Sequence, residues 1–570
     1  MRLKIIRLIA FSWLAVIAAA LFYNQILRGQ YYYNLSLNNR IRVMPLEGRR
    51  GNILDRNGVV LVDNRLSFDI ALIPQDIKNS ELLFEFLGKV LKEDKKTISQ
   101  RFFLAKVAPF APVVVAEDVD IRVAMILQEN QFRFPGLYIQ ESFRRHYPFN
   151  EIGSHVLGYV GKINRTEVEQ LKDYGYSQQS MIGKDGVEDY YDQYLKGREG
   201  GLQIEVDSRG RQVRLLSVRE PQDGTDVQLT IDQRVQETAA SVLGDRKGTI
   251  LVMDLNSGEI LGMVSSPAYD PNIFTDSRLN KQTRLIFTDP GSPLLNRTIK
   301  GLYPPGSVFK IVLTLAGLLN NKLTVNTTYH CPGYYTMGRR FHCSHIHGDQ
   351  DLLQGIAHSC NVYFFNVGLS LGVDLIHKYA QLLGLGQKTM IDLPFEEKGN
   401  IPNRVQRKLQ KNTGWHPGDT LNLSIGQGEV LVTPLQLLNM MAIVARNGRF
   451  IHPHVIQKIG DQEIISLPEL HELEVPQDVL DILQRGLRLV VTDGGGTARL
   501  LNMESFNVSG KTGTAQSVPG REEHAWFVGF NTQGKRDVVF CIFLEFGGSS
   551  YNAVVLTKEL LMGLKEKDII

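Results

Sequence analysis

A run of 20 residues without a charged side chain, residues 8–27, follows a short basic tip at the start of the chain. An apolar helix of about 20 residues is long enough to span the hydrocarbon core of a membrane. Because basic flanks stay in the cytoplasm, such a helix places the rest of the chain on the other side. The rival interpretation is a cleaved secretory signal, processed at Ala18-Ala19-Ala20. The apolar run continues beyond that point, so we expect residues 1–30 to be a cytoplasmic tip and a retained, single-pass anchor.

The length of the chain requires more than one hydrophobic core. Its 570 residues exceed one ordinary domain, and 43% of them are apolar, as in globular proteins. The 63 Lys and Arg residues nearly balance the 60 Asp and Glu residues, for a net charge of +3, so charge gives no indication of a nucleic-acid partner. After the anchor we expect two domains, at residues 31–222 and 223–570.

The first of these domains shows no set of residues with recognisable catalytic chemistry. Residues 50–62 are typical of a hairpin, with two strands joined at Asn57-Gly58. Residues 80–91 have helical periodicity. We therefore expect a non-catalytic, mixed α/β platform that separates the second domain from the membrane.

The second domain begins and ends with apolar strands. Residues 248–254 predict a buried strand, and residues 537–546 predict another near the far end. Residues 233–243 predict a helix between strands, and a closing helix is expected over 556–564. Strands at both ends with helices between them indicate an antiparallel sheet in an α+β fold, with sequence-distant strands as neighbours.

One candidate nucleophile lies where a turn enters an apolar helical run. Pro304-Pro305-Gly306 precedes Ser307, and Lys310 follows three residues later, on the same helix face. A Ser hydroxyl needs a base to become a nucleophile, and a partly neutral Lys one turn away can be that base. This pair alone is a weak signal, because a helix-capping Ser with a solvated Lys has the same spacing.

Two further short motifs follow in the sequence. Ser359-Cys360-Asn361 begins another helical run, 52 residues after Ser307, and Lys511-Thr512-Gly513-Thr514 lies in a predicted strand pair, 152 residues after Ser359. Each motif is weak alone, but the three in this order are a strong indication of serine acyl transfer.

Acyl transfer gives each of these residues a role. Ser307 would attack a carbonyl and Lys310 would take its proton. Ser359 would relay a proton, while Asn361 would hold Lys310 and the substrate amide. Lys511 would add positive potential. Substrate binding and oxyanion stabilisation are expected from Thr512, Gly513 and Thr514, the last through its backbone N–H together with that of Ser307.

With these motifs the chain resembles the class B penicillin-binding proteins, and within them the elongation-type members known as penicillin-binding protein 2. The resemblance covers nearly the whole chain and includes Arg50-Gly51 with Asp55-Arg56, Gly426-Gln427-Gly428, and Thr433-Pro434 with Gln436. It implies a penicillin-binding, serine-β-lactamase-like transpeptidase domain with a five-stranded antiparallel sheet between helices, behind an elongated platform and a transmembrane helix.

The resemblance also implies a reaction and partners. Ser307 would be acylated by the penultimate D-Ala of a peptidoglycan stem peptide, and an amine of a neighbouring stem would take the acyl group, without a catalytic cofactor. β-Lactams would acylate the same residue. Glycan polymerisation from lipid-linked precursor would come from a RodA-type polymerase in the inner membrane, with the catalytic domain on the periplasmic side.

Three cysteines cluster around the second motif. Cys331, Cys343, His347 and Cys360 would supply a closed tetrahedral set of ligands for a structural Zn²⁺. A disulfide is the alternative in an oxidising compartment, free thiols are a third interpretation, and His345 is the alternative ligand. Some relatives carry zinc at this position with other ligand types. Cys541, in an apolar strand, is expected in the core.

Other functions fit the same motifs less well. A serine β-lactamase shares all three, but does not usually follow an anchor and a long platform. A penicillin-sensing receptor needs several membrane spans, and a scaffold without activity would not need Ser307, Lys310 and Lys511. The division-type transpeptidase is the nearest rival, and the Cys/His cluster favours the elongation type.

Overall fold

The structure is a computed structural model that describes residues 2–32, 41–46, 48–106, 112–171, 176, 180–206, 212–276, 279–464, 472–518 and 520–570. These residues form two compact units. The smaller unit comprises Met1–Gly51, Asn64–Arg144 and Lys196–Gly224. The larger unit comprises Asn52–Asp63, Arg145–Leu195 and Thr225–Ile570.

The α-helices are numbered along the chain. They are α1 (Arg2–Phe22), α2 (Ser80–Leu91), α3 (Lys95–Ala105), α4 (Ile121–Glu129), α5 (Ser154–Leu157), α6 (Arg165–Leu171), α7 (Gly186–Tyr190), α8 (Asp192–Leu195), α9 (Gln233–Leu243), α10 (Asn280–Thr288), α11 (Lys310–Leu319), α12 (Leu352–Ala357), α13 (Asn361–Leu371), α14 (Val373–Leu382), α15 (Arg404–Lys411), α16 (Pro417–Ser424), α17 (Pro434–Ala445), α18 (Gln477–Thr492) and α19 (Ser550–Glu566).

The strands are numbered in the same way. They are β1 (Ile41–Leu46), β2 (Ile53–Leu54), β3 (Val60–Leu72), β4 (Val113–Val119), β5 (Leu137–His146), β6 (Val160–Lys162), β7 (Met181–Gly183), β8 (Gly200–Val206), β9 (Gln212–Arg219), β10 (Val227–Leu229), β11 (Gly248–Asp254), β12 (Ile260–Ser266), β13 (Tyr329–Cys331), β14 (Tyr334–Met337), β15 (Arg339–His342), β16 (Gly348–Gln350), β17 (Ile456–Ile459), β18 (Gln462–Glu463), β19 (Val508–Ala515), β20 (His524–Asn531) and β21 (Val538–Leu544).

The amino-terminal apolar run is helical. Helix α1 continues into a π-helical turn at Tyr23–Leu27. Among the described residues, Leu3–Leu27 is the helical stretch that is long and apolar enough to cross a membrane. The sequence-based expectation of one such helix is confirmed.

The smaller unit has its own sheet and core. Strand β8 pairs antiparallel with β1 on one side and β9 on the other. A separate apolar cluster lies under α2 and α3, where the rings of Phe84 and Phe102 meet edge to face at 5.6 Å. The predicted helix over 80–91 has the bounds of α2, because Asn79 caps it by accepting a hydrogen bond from the N–H of Leu82.

The larger unit is built on a five-stranded antiparallel sheet. Its strand order is β12-β11-β21-β20-β19, so strands from both ends of the domain are neighbours. Strand β19, which carries Lys511 to Thr514, is at one edge. A strand at an edge has a backbone side that can accept an extended substrate.

Helices cover this sheet. Strands β11, β12, β20 and β21 are buried along their whole length, as expected for strands covered on both faces. Helices α9 and α19 pack against each other and against the sheet, and the almost fully buried α17 packs against its central strands. Helix α17 begins with a capping box in which the side chains of Thr433 and Gln436 bond each other's backbone N–H.

The predicted fold class is therefore confirmed. The helix predicted at 233–243 and the strand predicted at 248–254 have the bounds of α9 and β11. The predicted closing helix is longer than expected, since Ser549 caps α19.

Candidate active site

Ser307 lies in a tight turn just before a helix. Gly306–Phe309 forms a 3₁₀ turn that leads into α11 at Lys310, so the predicted helix start is present but its first turn is 3₁₀ rather than α. The indole N–H of Trp526 donates to the carbonyl of Pro304 at 3.1 Å, which fixes the entry to this turn against β20.

Glycines allow the third motif to lie against the Ser307 turn. A Cβ on Gly306, whose φ is +56°, would lie 2.7 Å from the carbonyl oxygen of Thr514 in β19. A Cβ on Gly513 would lie 2.9 Å from the carbonyl oxygen of Pro305. Real Cβ atoms do not approach so closely, so the backbone of the third motif can lie against the Ser307 turn only because these positions are glycine.

Lys310 is buried beneath the cleft and bonded to the second motif. Its Nζ donates to the carbonyl of Ser359 at 2.7 Å, to Oδ1 of Asn361 at 2.7 Å and to Oγ of Ser359 at 3.2 Å. Burial lowers the pKa of Lys310 from 10.5 to about 8, against the opposing effect of the Cys343 and Cys360 sulfurs. A substantial fraction of this amine is thus neutral near physiological pH.

The second motif joins two helices. Ser359 follows α12 with φ at +55°, in the left-handed region, and Asn361 begins α13. The Cys360 sulfur caps α13 by accepting from the N–H of Tyr363 at 3.5 Å. The backbone N–H of Asn361 donates to the Cys343 sulfur at 3.2 Å.

The third motif lies on edge strand β19. Lys511 is fully buried, and its Nζ donates to the carbonyl of Thr512 at 3.3 Å. Burial, and then the Lys310 cation, hold the pKa of Lys511 well below its usual range. Thr514 Oγ1 accepts from the N–H of Ser550 at 3.3 Å, and the hydroxyls of Thr512 and Thr497 lie 2.7 Å apart.

These segments surround one cleft of about 1300 Å³. Side chains of all three motifs line it, with the two lysines buried behind them. Among the residues that line it are Ser307, Ser359, Asn361, Thr497, Thr512 and Thr514. The structure therefore brings together the residues that the sequence spread over 200 positions, and their chemistry suits proton transfer to and from a serine nucleophile.

The predicted cysteine and histidine ligands also converge. The ligand atoms of Cys331, Cys343, His347 and Cys360 all lie within 4.8 Å of one another. Nδ1 of His347 is 3.6 Å from the Cys331 sulfur and 3.5 Å from the Cys343 sulfur. His345, the alternative ligand, meets the cluster through its backbone carbonyl oxygen, which accepts from the Cys331 thiol at 3.6 Å, and its imidazole is not part of the cluster. All four cysteines are unpaired, and Cys541 is buried in β21 as predicted.

The pKa shifts of two side chains in this cluster, Cys343 and His347, favour metal binding. The hydrogen bond from the Cys360 thiol and the backbone N–H groups beside it lower the pKa of Cys343, which favours its thiolate form. Burial lowers the pKa of His347, which favours the neutral imidazole.

Two residues of the cleft wall, Thr497 and His358, were given no role from the sequence, nor was Asp493 beside His358. Thr497 bonds Thr512, while His358 lies 3.0 Å from Asp493 and next to Ser359. The Gly494-Gly495-Gly496 run between Asp493 and Thr497 is the signal that could have pointed to them, because such runs allow close backbone approaches.

Known proteins share this fold and these motifs. Residues 248–560 match the family described as penicillin binding protein transpeptidase domain, and residues 45–229 match the penicillin-binding protein dimerisation domain. A peptidoglycan D,D-transpeptidase MrdA of Haemophilus influenzae is 30% identical, over 97% of this chain and 90% of that protein.

Solved structures agree. The penicillin-binding protein PBP2 of Helicobacter pylori, solved in complex with MreC, superposes with a TM-score of 0.83 at 29% identity, covering 93% of this chain and 99% of that one. A chain from a peptidoglycan synthase complex, solved to show the coordination of polymerisation and cross-linking, gives a TM-score of 0.74 at 29% identity and covers 99% of this chain and 98% of that one.

The fold and the cleft thus define a penicillin-binding acyl-transfer protein. The chain belongs to the penicillin-binding protein transpeptidase family. The resemblance inferred from the sequence is confirmed, as are the expected serine-type D,D-transpeptidase activity and the elongation type, since several curated relatives carry the MrdA name and the solved PBP2 structures match.

Proposed function

We propose that this chain cross-links peptidoglycan stem peptides through an acyl-enzyme on Ser307. The observation that carries the assignment is the environment of Lys310. This amine is buried, bonded to Ser359 and Asn361, and has a pKa lowered to about 8, one turn from Ser307. A partly neutral amine in that place is the base that a serine nucleophile needs.

Each residue of the cleft has its own role in the acylation of Ser307. Lys310 takes the proton of Ser307 as its Oγ attacks the penultimate D-Ala carbonyl, and the backbone N–H groups of Ser307 and Thr514 stabilise the oxyanion. Ser359 returns a proton to the leaving terminal D-Ala. The hydroxyls of Thr512 and Thr514 bind the terminal carboxylate.

The second half of the reaction uses the same groups. An amine of a neighbouring stem loses a proton to the Ser359 and Lys310 pair as it attacks the acyl-enzyme. Lys310 returns a proton to Oγ of Ser307 as the ester bond breaks, and Ser307 is released. β-Lactams mimic the donor and stay on Ser307. Lys511 supports the carboxylate site through its Nζ, which donates a hydrogen bond to the carbonyl of Thr512.

Labelling with a fluorescent penicillin tests the nucleophile. Membranes with the wild-type chain should give a stable labelled band, and Ser307→Ala should give none. Ser241→Ala, an exposed serine of α9, is the matched control and should label normally. A labelled Ser307→Ala band would overturn the assignment, and rapid loss of the label would favour a β-lactamase.

We also infer a structural Zn²⁺ held by Cys331, Cys343, His347 and Cys360. Bonds of about 2.3 Å to sulfur and about 2.0–2.1 Å to nitrogen place the sulfur and nitrogen ligands of a tetrahedral zinc about 3.6 Å apart. The two sulfur–Nδ1 distances of 3.6 and 3.5 Å fit this geometry. When bound, the ion would cross-link the segment around β13 to β16 to the second motif.

Elemental analysis of the purified protein tests the metal site. We expect about one zinc per chain, because four ligands close one tetrahedral site. His347→Ala should lose the zinc, whereas His345→Ala and Cys541→Ala should keep it. Zero zinc together with a Cys331–Cys343 crosslink in mass spectrometry would contradict the proposal.

The chain has a proposed division into domains and a proposed orientation in the membrane. We propose an anchor at residues 1–30, a platform at 31–222 and a transpeptidase domain at 223–570, supported by the family matches at 45–229 and 248–560. The basic tip supports a catalytic domain outside the cytoplasm. Proteinase K added to intact spheroplasts should then digest the chain, and protection until lysis would overturn this orientation.

A membrane partner completes the proposed function. We propose that a RodA-type polymerase supplies the glycan strands from lipid-linked precursor, supported by the likeness to a chain of the peptidoglycan synthase complex. Affinity purification of the full chain in mild detergent should recover a polytopic polymerase, and its absence from a preparation active in labelling would count against the partnership.

A further inference from the structure

His358 lies between two hydrogen-bond partners in the wall of the cleft. Its Nδ1 is 2.7 Å from Oε1 of Gln350, and its Nε2 is 3.0 Å from Oδ1 of Asp493. Gln350 is itself fixed, because its Nε2 donates to the carbonyls of His347 and Asp349 at 3.1 and 2.9 Å. Each ring nitrogen of His358 therefore has an acceptor oxygen within hydrogen-bond distance.

Asp493 opens a loop that reaches two motifs. Its Oδ1 also accepts from the N–H of Gly495 at 2.7 Å. A Cβ on Gly495 would lie 2.7 Å from Nε2 of His358, so any other residue there would have to displace the imidazole. At the far end of the loop, the Thr497 hydroxyl lies 2.7 Å from that of Thr512 in the third motif.

The residue after His358 is Ser359, which has an unfavourable backbone conformation. Its φ of +55° is one that a residue with a Cβ keeps only when its neighbours enforce it. On one side, the Cys360 N–H donates to the carbonyl of Gly355 at 3.0 Å. On the other side, the fixed neighbour is His358, with its bonds to Gln350 and Asp493.

We propose that His358 and Asp493 form a positioning pair for acyl transfer. The pair keeps Ser359 and its carbonyl oriented toward Lys310, and it ties the second motif to the loop that supports Thr512. Neither residue is assigned contact with the reacting atoms, so both act through Ser359. This inference rests on the proposed function of Ser307, Lys310 and Ser359.

The kinetics of acylation by a fluorescent penicillin test the pair. In the purified full-length protein, Asp493→Ala should lower the acylation rate constant about tenfold, equivalent to about 1.4 kcal/mol. The binding constant of the encounter complex should change less than the rate constant, because Thr514 also holds the carboxylate. Asp493→Asn should restore most of the rate, since the wild-type Oδ1 accepts both hydrogen bonds and an amide oxygen can replace it.

A double-mutant cycle adds a second readout. If the two residues act through one contact, His358→Ala with Asp493→Ala should be little slower than either single variant. Asp478→Ala, an exposed aspartate at the other end of α18, is the matched control and should acylate at the wild-type rate. Melting temperature and zinc content, measured on the same samples, separate positioning from loss of fold.

Specific results would overturn the proposed positioning pair. A wild-type rate constant in folded Asp493→Ala, an Asp493→Asn variant as slow as Asp493→Ala, or additive effects in the double variant would overturn it. If Asp493→Ala does not fold, the acylation rates of His358→Gln and Asp493→Asn are compared instead. A wild-type rate for His358→Gln together with a slow rate for Asp493→Asn would overturn the positioning pair. Labelling of Ser307→Ala would instead overturn the proposed function, so the two failures are distinguishable.

Discussion

The backbone N–H of Asn361 donates a hydrogen bond to the sulfur of Cys343, 3.2 Å away. The side-chain oxygen of the same asparagine accepts from Nζ of Lys310 at 2.7 Å. One residue thus connects the cysteine cluster to the proposed base, and a change at the sulfur should be detected in the rate of acylation.

Cys343→Ala should slow acylation. Hydrogen bonds to charged groups contribute about 1.5–3 kcal/mol, and loss of that amount in the acylation transition state corresponds to roughly tenfold or more in rate. Stopped-flow labelling with a fluorescent penicillin measures this rate. Cys541→Ala, which removes a buried sulfur far from the second motif, is the control, and an unchanged rate in Cys343→Ala would show that the cluster does not influence Asn361.

Acylation should depend on pH through Lys310. A protonated lysine cannot accept the Ser307 proton, and burial lowers the pKa of this amine to about 8. The second-order acylation rate should therefore rise about tenfold per pH unit below about 8 and level off above it. Lys310→Arg should be inactive at every pH, because a guanidinium remains protonated.

The measurement is the rate of penicillin labelling between about pH 6 and 9. A rate that stays flat across this range would exclude Lys310 as a base that titrates near 8. A constant melting temperature over the same pH range would exclude acid denaturation as the cause of a lower rate.

The short motifs were predictable because their chemistry depends on residue type and order. Roles for Ser307, Lys310, Ser359 and Asn361 could be proposed from the sequence. The bounds of α9 could be predicted because a capping aspartate precedes its helical pattern. The four side chains of the proposed metal site were predicted from residue type, spacing and the family resemblance, and the structure brings them together.

Other parts of the site were not predictable. Thr497 and His358 belong to no periodic pattern, and each is functional in our proposals only through one long-range hydrogen bond. Likewise, the close approach of Gly306 to Thr514 depends on how β19 packs against the Ser307 turn. Long-range packing of this kind leaves no local signal in a single sequence.

Gly426→Ala should damage both stability and acylation. Gly426 has φ at +68°, and a Cβ there would lie 2.1 Å from the carbonyl oxygen of Gly306. The left-handed conformation alone costs about 1–2 kcal/mol for a residue with a Cβ, and the clash displaces the Ser307 turn. Urea denaturation and penicillin labelling measure the two effects. Gly414→Ala, with nothing within 4 Å of the new Cβ, should change neither, and a stable, active Gly426→Ala would contradict this account.

Glu545→Ala should destabilise the larger unit, because it leaves the buried guanidinium of Arg297 without its carboxylate. Arg297 Nε donates to Glu545 at 2.8 Å, and the arginine side chain is only 3% exposed. Removing one partner of a buried ion pair typically costs about 3–5 kcal/mol. The Tyr303 hydroxyl also donates to Glu545, at 3.4 Å, so the turn that carries Ser307 should loosen and acylation should slow.

Urea denaturation of the full chain measures the free energy of unfolding. Asp374→Ala is the control, because its pair with Arg404 is exposed and such pairs contribute less than about 1 kcal/mol. Equal effects of the two variants would mean that burial does not strengthen the Arg297 pair.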